Sequence, residues 1–343
     1  MSAGVRPSAP AFAPADVTPG DARRRPVDVS VLVPAKDEAE NLPLFMAQAA
    51  AAFAADPGVE YEVVVVDDGS SDGTPAVLGE LQHDYPFLRA VRHRVGRGIA
   101  DALRTGFLHA RGDVMVFYPA DLQFKPEDIP RLVAPILAGA SDMVTGYKQG
   151  KYEKAFVSRV YNRLSRTLFD VRVRDLNNVK AYRREVMEGL PLRPDWHRYM
   201  IVLAAAQGYS VSEIPVPLYP RHAGRSKFGI ARIPIGVLDM LAVWVELRFG
   251  RKPLLLFGVL GAALFALGMV AGVGALLWLA VTGRGLRAVW TVVQTCLLLG
   301  GVFFTGGIVG EMIAGQRAEL AELRRELGAR LDAGRGPAAG TDG

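Results

Sequence analysis

Two long stretches near the end of the chain carry no charged side chain, and they limit the fold before anything else does. Residues 254–281 contain no Asp, Glu, Lys or Arg, and the same holds for residues 288–310. Each exceeds the ~18–20 apolar residues that a helix needs to cross a bilayer. The 343 residues are 50% hydrophobic and 22% charged, and their mean hydropathy is +0.18. That average fits a soluble part joined to a membrane part. A wholly soluble enzyme and a many-span transporter are both excluded.

Only residues 282–287 separate the two runs, so the spans form a hairpin with both chain ends on one side. Arg248, Arg251 and Lys252 precede it, and Arg317, Arg324 and Arg325 follow, whereas the turn holds only Arg284 and Arg287. The positive-inside bias places both ends in the cytoplasm, at the inner membrane. As a helix the first run is about 42 Å long against a hydrocarbon core of ~30 Å, so it must tilt or seat one end among headgroups. The spacing Gly268-x-x-x-Gly272 permits close helix contact, and with it a homo-oligomer, but such spacing arises easily by chance in a Gly-rich span and leaves the oligomeric state open. Residues 230–249 are mostly apolar with sparse charges and read as one or two helices lying along the membrane lipid surface. A buried helical pair of the soluble domain is the alternative. Residues 316–331 read as a charged amphipathic helix.

The 40 Lys+Arg exceed the 35 Asp+Glu by +5. These cations form no long basic stripe, so nucleic acid is not an expected partner; several flank the membrane segments instead, where anionic headgroups attract them. The single cysteine, Cys296, falls inside the second run and excludes a disulfide framework or a cysteine zinc site. The expected organisation is a disordered Ala- and Pro-rich leader without a signal-peptide core over residues 1–26, a catalytic domain over 27–228 and membrane-surface helices over 229–252. Two transmembrane helices over 253–314 and a cytoplasmic tail over 315–343 complete it.

From Val27 the pattern alternates between strands and helices. Strands are expected at 29–33, 63–66, 88–93, 114–118 and 211–218, and helices at 39–54, 99–110, 154–169 and 196–207. Val63-Val64-Val65-Val66 is four β-branched residues in a row, as in a strand buried on both faces of a parallel sheet. The order argues for a doubly wound α/β domain, Rossmann-like, followed by the two-helix hairpin.

In such sheets ligands bind beyond the carboxyl ends of the strands. Three polar clusters lie there: Pro34-Ala35-Lys36-Asp37-Glu38, Asp67-Asp68-Gly69-Ser70-Ser71-Asp72-Gly73-Thr74 and Pro119-Ala120-Asp121-Leu122-Gln123. Carboxylates at the first two can accept hydrogen bonds from a base and from ribose hydroxyls. One at the third can ligate a hard divalent cation on a diphosphate. Gly96-Arg97-Gly98 adds backbone that can approach phosphate and a guanidinium that matches its oxygens. There is no Gly-Lys-Ser/Thr loop, and no G-x-G-x-x-G follows the first strand, which removes kinase and dehydrogenase readings.

With these runs, and with Lys180-Ala181-Tyr182-Arg183-Arg184-Glu185, His197-Arg198-Tyr199 and Arg221-His222-Ala223-Gly224-Arg225-Ser226-Lys227-Phe228, the chain resembles the family 2 glycosyltransferases of the GT-A fold. It looks most like the branch acting on polyprenyl phosphates, the dolichyl-phosphate mannosyltransferase and undecaprenyl-phosphate glycosyltransferase group. The resemblance implies inverting transfer of a single sugar from a nucleotide-sugar donor to polyprenyl phosphate. It implies that Pro34, Ala35, Asp37, Glu38, Asp67, Asp68 and Arg97 hold the donor nucleotide. Asp121 and Gln123 would then face Mg²⁺ or Mn²⁺ and the diphosphate, and Asp121 and Asp175 would be the catalytic carboxylates. Pro119 stands where the family usually has the first aspartate of Asp-x-Asp. That departure leaves open weaker metal binding, leaving-group stabilisation by Arg and Lys alone, or an idle membrane-anchored protein that binds nucleotide sugar without turnover. A processive polysaccharide synthase is disfavoured, because no Gln-x-x-Arg-Trp motif and no further spans occur.

The acceptor side follows from charge. A lipid-borne phosphate needs cations near the membrane, and Arg221, Arg225, Ser226 and Lys227 lie in a Gly-containing loop just before the apolar segments. Arg159, in the expected helix at 154–169, is a further candidate. His197 is a candidate for facing either phosphate.

Overall fold

A computed structural model describes residues 27–149, 168–169, 173–176, 178–190, 193, 196–223, 233–250, 252–285 and 287–334. It divides into two compact units, residues 1–240 and 241–343.

The first unit is built on one mixed sheet of seven strands in the order β3-β2-β1-β4-β6-β5-β7. These are β1 (Val29–Ala35), β2 (Tyr61–Asp67), β3 (Leu88–Arg92), β4 (Val114–Phe117), β5 (Met143–Gln149), β6 (Lys180–Arg183) and β7 (Val211–Pro217). The valine run lies inside β2, where all seven residues are buried. A β-branched strand covered on both faces is what a parallel sheet requires at its centre. Helices α1 (Leu42–Ala54), α2 (Thr74–Asp84), α3 (Ile99–His109) and α4 (Ile129–Leu137) connect the first five strands. Phe45, Met46 and Ala49 of α1 pack with Ile129, Leu132 and Val133 of α4 in the main core over β1 and β4. Short helices α5 (Arg184–Gly189) and α6 (Met200–Ala206) follow, the latter after a single 3₁₀ turn at Trp196–Tyr199. The helix expected at 196–207 is thus split in two.

Strands β1, β2, β3 and β4 are mutually parallel, and the winding reverses between β1 and β4. That reversal opens the crevice in which doubly wound sheets hold their ligands. Strand β6 enters antiparallel between β4 and β5, pairing Lys180 with Phe117 on one side and with Thr145 on the other. Its first residue is therefore delivered to the same edge at which β1 and β4 end. Neither β5 nor β6 is expected from pattern. β6 is four residues with polar ends, and β5 closes on Tyr147-Lys148-Gln149.

The second unit contains α8 (Pro253–Thr282) and α9 (Arg287–Gly334), preceded by α7 (Ile233–Phe249), which straddles the division. Both α8 and α9 are long and apolar enough to cross a membrane, with only 17% of each apolar window buried. A core helix of a soluble protein would be mostly covered; these present Val259, Phe265, Leu277, Leu298 and Val302 outward. They pack through glycines: a Cβ on Gly261 would lie 2.6 Å from the Phe304 nitrogen, and one on Gly300 would lie 2.8 Å from the Phe265 nitrogen. Gly268 faces Leu297 and Cys296, and Gly272 faces Val293, within the same chain. The Gly268-x-x-x-Gly272 face is thus taken by the hairpin itself, which removes the reason for reading it as a contact between copies. The Leu254 N–H, in the first turn of α8, donates to Glu311 Oε2 at 3.1 Å. The expected tail helix is continuous with the second long apolar run, in one helix of 48 residues, about 72 Å long.

Candidate active site

The loops after β1 and β2 are laced together. Pro34 and Ala35 close β1 opposite Val66 and Asp67. Asp37, held at φ 54, donates its N–H to Ser70 Oγ at 2.8 Å, and its Oδ1 accepts from the Ser71 N–H at 2.8 Å. The Glu38 N–H donates to Thr74 Oγ1 at 2.9 Å, and Glu38 Oε2 accepts from Asn41 Nδ2 at 2.6 Å. Asp67 Oδ1 accepts from the Ser70 N–H at 2.9 Å. Its Oδ2 is buried without a hydrogen bond, although Arg92 Nε stands 3.1 Å away as its counter-charge; the contact is ionic and off the line that a hydrogen bond needs.

Asp68 fixes the next loop. Its Oδ1 accepts from His93 Nδ1 at 2.8 Å and from the Arg97 N–H at 2.7 Å, and its Oδ2 accepts from the Gly98 N–H at 2.8 Å. His93 Nε2 lies 2.9 Å from Thr105 Oγ1 on α3. Burial alone would raise the Asp68 carboxyl, but the Arg97 and Gly98 amides and His93 outweigh it and hold the group below the ordinary carboxylate range. The Arg97 side chain stays exposed at the tip of that loop. Pro34, Ala35, Asp37, Glu38, Asp67, Asp68 and Arg97 thus share one surface at the carboxyl ends of β1, β2 and β3.

Beyond β4 the geometry differs. Leu122 has φ 56, a left-handed turn that folds Asp121 and Gln123 back together, with the Gln123 N–H donating to Asp121 Oδ1 at 3.2 Å. Arg221 comes from the segment after β7, which is tied down by the Tyr219 N–H donating to the Gln123 carbonyl at 2.9 Å. One nitrogen of Arg221, Nη2, lies 2.8 Å from Asp121 Oδ2 and 3.3 Å from Gln123 Oε1. Burial raises the Asp121 carboxyl above its usual range even against the opposing charge of Arg221.

These oxygens supply the test for a divalent ion. A carboxylate oxygen and a carboxamide oxygen converge on one point that already holds a positive group, and both are hard donors of the kind Mg²⁺ and Mn²⁺ accept. Among the described residues no group of three or more His, Cys, Asp or Glu could hold a metal. The residues therefore fit a cation shared with substrate phosphates and water rather than one caged by protein alone.

Asp175 is buried beside β5 and β6, with Lys148 Nζ 3.3 Å from its Oδ2. Lys180 is fully buried; its Nζ donates to the Leu176 carbonyl at 3.3 Å and to the His197 carbonyl at 3.2 Å, and stands 5.5 Å from the Phe117 ring centroid. Burial pushes the Lys180 ammonium down to about 7, with Asp175 opposing. Sequence reading named neither Lys148 nor Lys180 as site residues; the signal was Lys180 at the head of the Lys-Ala-Tyr run. His197 is buried, and burial together with Lys180 and Arg198 lowers it to about 3. It is a neutral packing group against Phe117, not a cation for phosphate. Arg159, Arg225, Ser226 and Lys227 lie outside the described residues, as do the leader and all of the expected helix at 154–169 but residues 168–169, which are helical.

A model of the family described as Glycosyl transferase family 2 matches residues 30–190. The chain is 28% identical over 302 residues to a dodecaprenyl-phosphate galacturonate synthase of Rhizobium johnstonii, covering 84% of this chain and 88% of that protein. It is 31% identical over 250 residues to an undecaprenyl-phosphate 4-deoxy-4-formamido-L-arabinose transferase of an Enterobacter species, covering 71% of this chain and 74% of the relative. Among solved structures, glucosyl-3-phosphoglycerate synthase from Mycobacterium tuberculosis, in complex with Mn²⁺, UDP and phosphoglyceric acid, superposes with a TM-score of 0.51 at 20% identity, over 64% of this chain and 78% of that one. That likeness concerns the fold, and the curated relatives carry the rest: the chain belongs to glycosyl transferase family 2.

Proposed function

We propose that this protein transfers one sugar from a nucleotide-sugar donor to a polyprenyl phosphate, with inversion at the anomeric carbon, at the cytoplasmic face of a membrane. The observation that carries the reading is the convergence of Asp121, Gln123 and Arg221. It joins the loop beyond β4, at the reversal of the sheet, to the segment that leads in sequence toward the two membrane-length helices. The names of the curated relatives support the acceptor class.

A phosphate monoester has its second pKa near ~6, so it is largely dianionic at neutral pH. It is already a nucleophile and requires placement rather than a general base. One of its oxygens forms a bond to the anomeric carbon as the bond from that carbon to the diphosphate oxygen breaks. The electron pair leaves with the nucleoside diphosphate. Arg221 and the loop carrying Arg97 lower the repulsion between the two phosphates. A Mg²⁺ or Mn²⁺ held by Asp121 and Gln123 would supply Lewis-acid neutralisation of the departing charge. Asp175, with Lys148 beside it, orients a sugar hydroxyl. Arg225, Ser226, Lys227 and Arg159 are proposed contacts of the acceptor phosphate. Residues 27–228 form the catalytic domain, residues 253–314 the anchor, and both chain ends lie in the cytoplasm. Anchoring keeps the site where the lipid headgroup lies and raises its effective concentration.

Purified protein incubated with undecaprenyl phosphate and a panel of radiolabelled nucleotide sugars, with Mg²⁺, Mn²⁺ or EDTA, tests this. Label entering the lipid phase establishes the transferase and names the sugar. Donor binding without consumption on a broad panel would overturn it in favour of an idle binder, the reading that Pro119 invites.

A further inference from the structure

We infer that Arg221 is a displaceable occupant of the cation position, and that it competes with the divalent ion for Asp121 and Gln123. The inference rests on the transferase reading for its purpose but on geometry for its substance. A single nitrogen, Nη2, sits 2.8 Å from Asp121 Oδ2 and 3.3 Å from Gln123 Oε1. These are the two oxygens that the loop beyond β4 offers to a cation. A divalent ion that takes them must first break the guanidinium contacts.

The surrounding chain is arranged for such an exchange. Leu122, at φ 56, turns the loop so that the side chains on either side of it face one point. The Asp121 carboxyl is held largely out of water, at 13% exposure, whereas Arg221 retains 25%, so the guanidinium has a route to solvent or to an arriving anion. The backbone of the Arg221 segment is fastened separately, through the Tyr219 N–H to the Gln123 carbonyl at 2.9 Å. Its Ala223 carbonyl accepts from Asn41 Nδ2 at 3.5 Å. The side chain can therefore swing while its segment stays. With Pro119 in place of a carboxylate, the loop beyond β4 offers one formal negative charge among its described residues at this point, Asp121, which one guanidinium neutralises. A dication arriving alone meets a carboxylate already satisfied and a cation that repels it. A dication arriving with a diphosphate brings the anion that gives Arg221 a new partner. Metal and donor are thereby made to bind together, and the metal alone binds weakly.

The test uses the full chain in detergent and Mn²⁺ alone, followed by the paramagnetic resonance signal of free Mn²⁺. The variants are R221Q and R221K, with R221Q/D121N as a reference lacking the carboxylate; thermal unfolding confirms that each is folded. R221Q should bind Mn²⁺ roughly tenfold or more tightly than wild type, since the ion pair to Asp121 no longer has to be broken. R221K should remain close to wild type, and R221Q/D121N should lose the gain. Equal Mn²⁺ binding by wild type and R221Q, whether tight or undetectable, overturns the competition. The lipid-transfer assay on wild type runs in parallel. Transfer with equal Mn²⁺ binding sinks the competition and leaves the transferase standing. Tighter binding by R221Q without transfer on any donor sinks the transferase and leaves the competition.

Discussion

The loops after β2 and after β4 both place an aspartate at the carboxyl edge of the sheet, and they use it in opposite ways. Asp68 is surrounded by donors from its own neighbourhood: two backbone amides and the ring of His93. Asp121 answers to the Gln123 amide, to its own amide and to a side chain from the far end of the domain. A carboxylate saturated by amides is a strut, because every partner is fixed by the fold. One satisfied by a guanidinium can change partners with little rearrangement of backbone. The same residue type at the same edge is thus a fixed strut in one place and, in the function proposed above, the group that meets the reacting phosphates in the other.

The largest expected effect tests the exchangeable half. D121N should lower kcat for sugar transfer by about 10²–10³-fold, the scale of losing one preorganised electrostatic contact. The unfolding temperature should move by no more than ~2 °C, since the partly exposed Arg221 regains water. A collapse in stability as deep as the loss in rate would make Asp121 a strut as well, and the contrast would fail.

D68N tests the fixed half, and its signature should be reversed. Replacing an oxygen by an NH₂ group turns an acceptor toward donors, which costs about 1–3 kcal/mol. The protein should unfold several degrees earlier, with donor KM rising more than kcat falls. The pH dependence gives a second reading. The Asp68 carboxyl is lowered in the fold, so its stabilisation is fully present above the ordinary ~3.9 and is lost as pH falls through the lower folded value. Thermal unfolding followed from pH 7 downward should show wild type and D68N converging below about pH 4.

Lys180 offers a smaller, independent handle on the same edge. Its ammonium is pushed down to about 7, against ~10.4 for an unfolded lysine. Between those values the unfolded chain binds the extra proton, so stability should rise as pH goes from about 7 toward 10. K180M removes the proton from both states and should flatten that slope. It also releases the Leu176 and His197 carbonyls, so a few degrees of stability are expected to go at pH 10. Unfolding curves at pH 7, 8.5 and 10 decide it; a slope that persists in K180M would move the titration elsewhere.

Much of this architecture is legible in the sequence because it rests on local pattern. The four valines of β2, the acid clusters that end β1, β2 and β4, and the two uncharged runs each announce themselves without tertiary information. What is not legible depends on chain segments that meet only in space. β6 is four residues long, and nothing in Lys-Ala-Tyr-Arg reveals that it enters antiparallel beside β4 and buries its lysine. Nor does anything near Asp68 reveal that its oxygens are taken by Arg97 and Gly98, or anything near Asp121 that Arg221 will arrive from beyond β7. Gly268 and Gly272 are spaced for close helix contact, and the helix they meet is the chain's own second long apolar helix, which the spacing alone does not identify.

The smallest effect sharpens the picture of the fixed half. Gly69 and Gly96 face each other where the two loops touch, but they differ in what an added methyl would meet. At Gly69, with φ +68, a Cβ would fall 2.6 Å from the Gly96 nitrogen and 2.8 Å from the Val95 carbonyl carbon, both backbone. Neither the dihedral nor the neighbours can give, so G69A should destabilise on the scale of D68N, about 1–3 kcal/mol. At Gly96 the nearest atom would be Lys36 Nζ at 2.5 Å, the far end of a long side chain rather than backbone, with the Asp68 carbonyl oxygen at 3.1 Å. Lys36 can withdraw while the Asp68 carbonyl shifts by tenths of an ångström. G96A should therefore cost under about 1 kcal/mol and raise donor KM only a few-fold. Parallel unfolding and donor-saturation measurements on the two variants compare them directly. If G96A costs as much as G69A, Lys36 is itself fixed in the frame of the loop, and the rigid half of the site is larger by one cation.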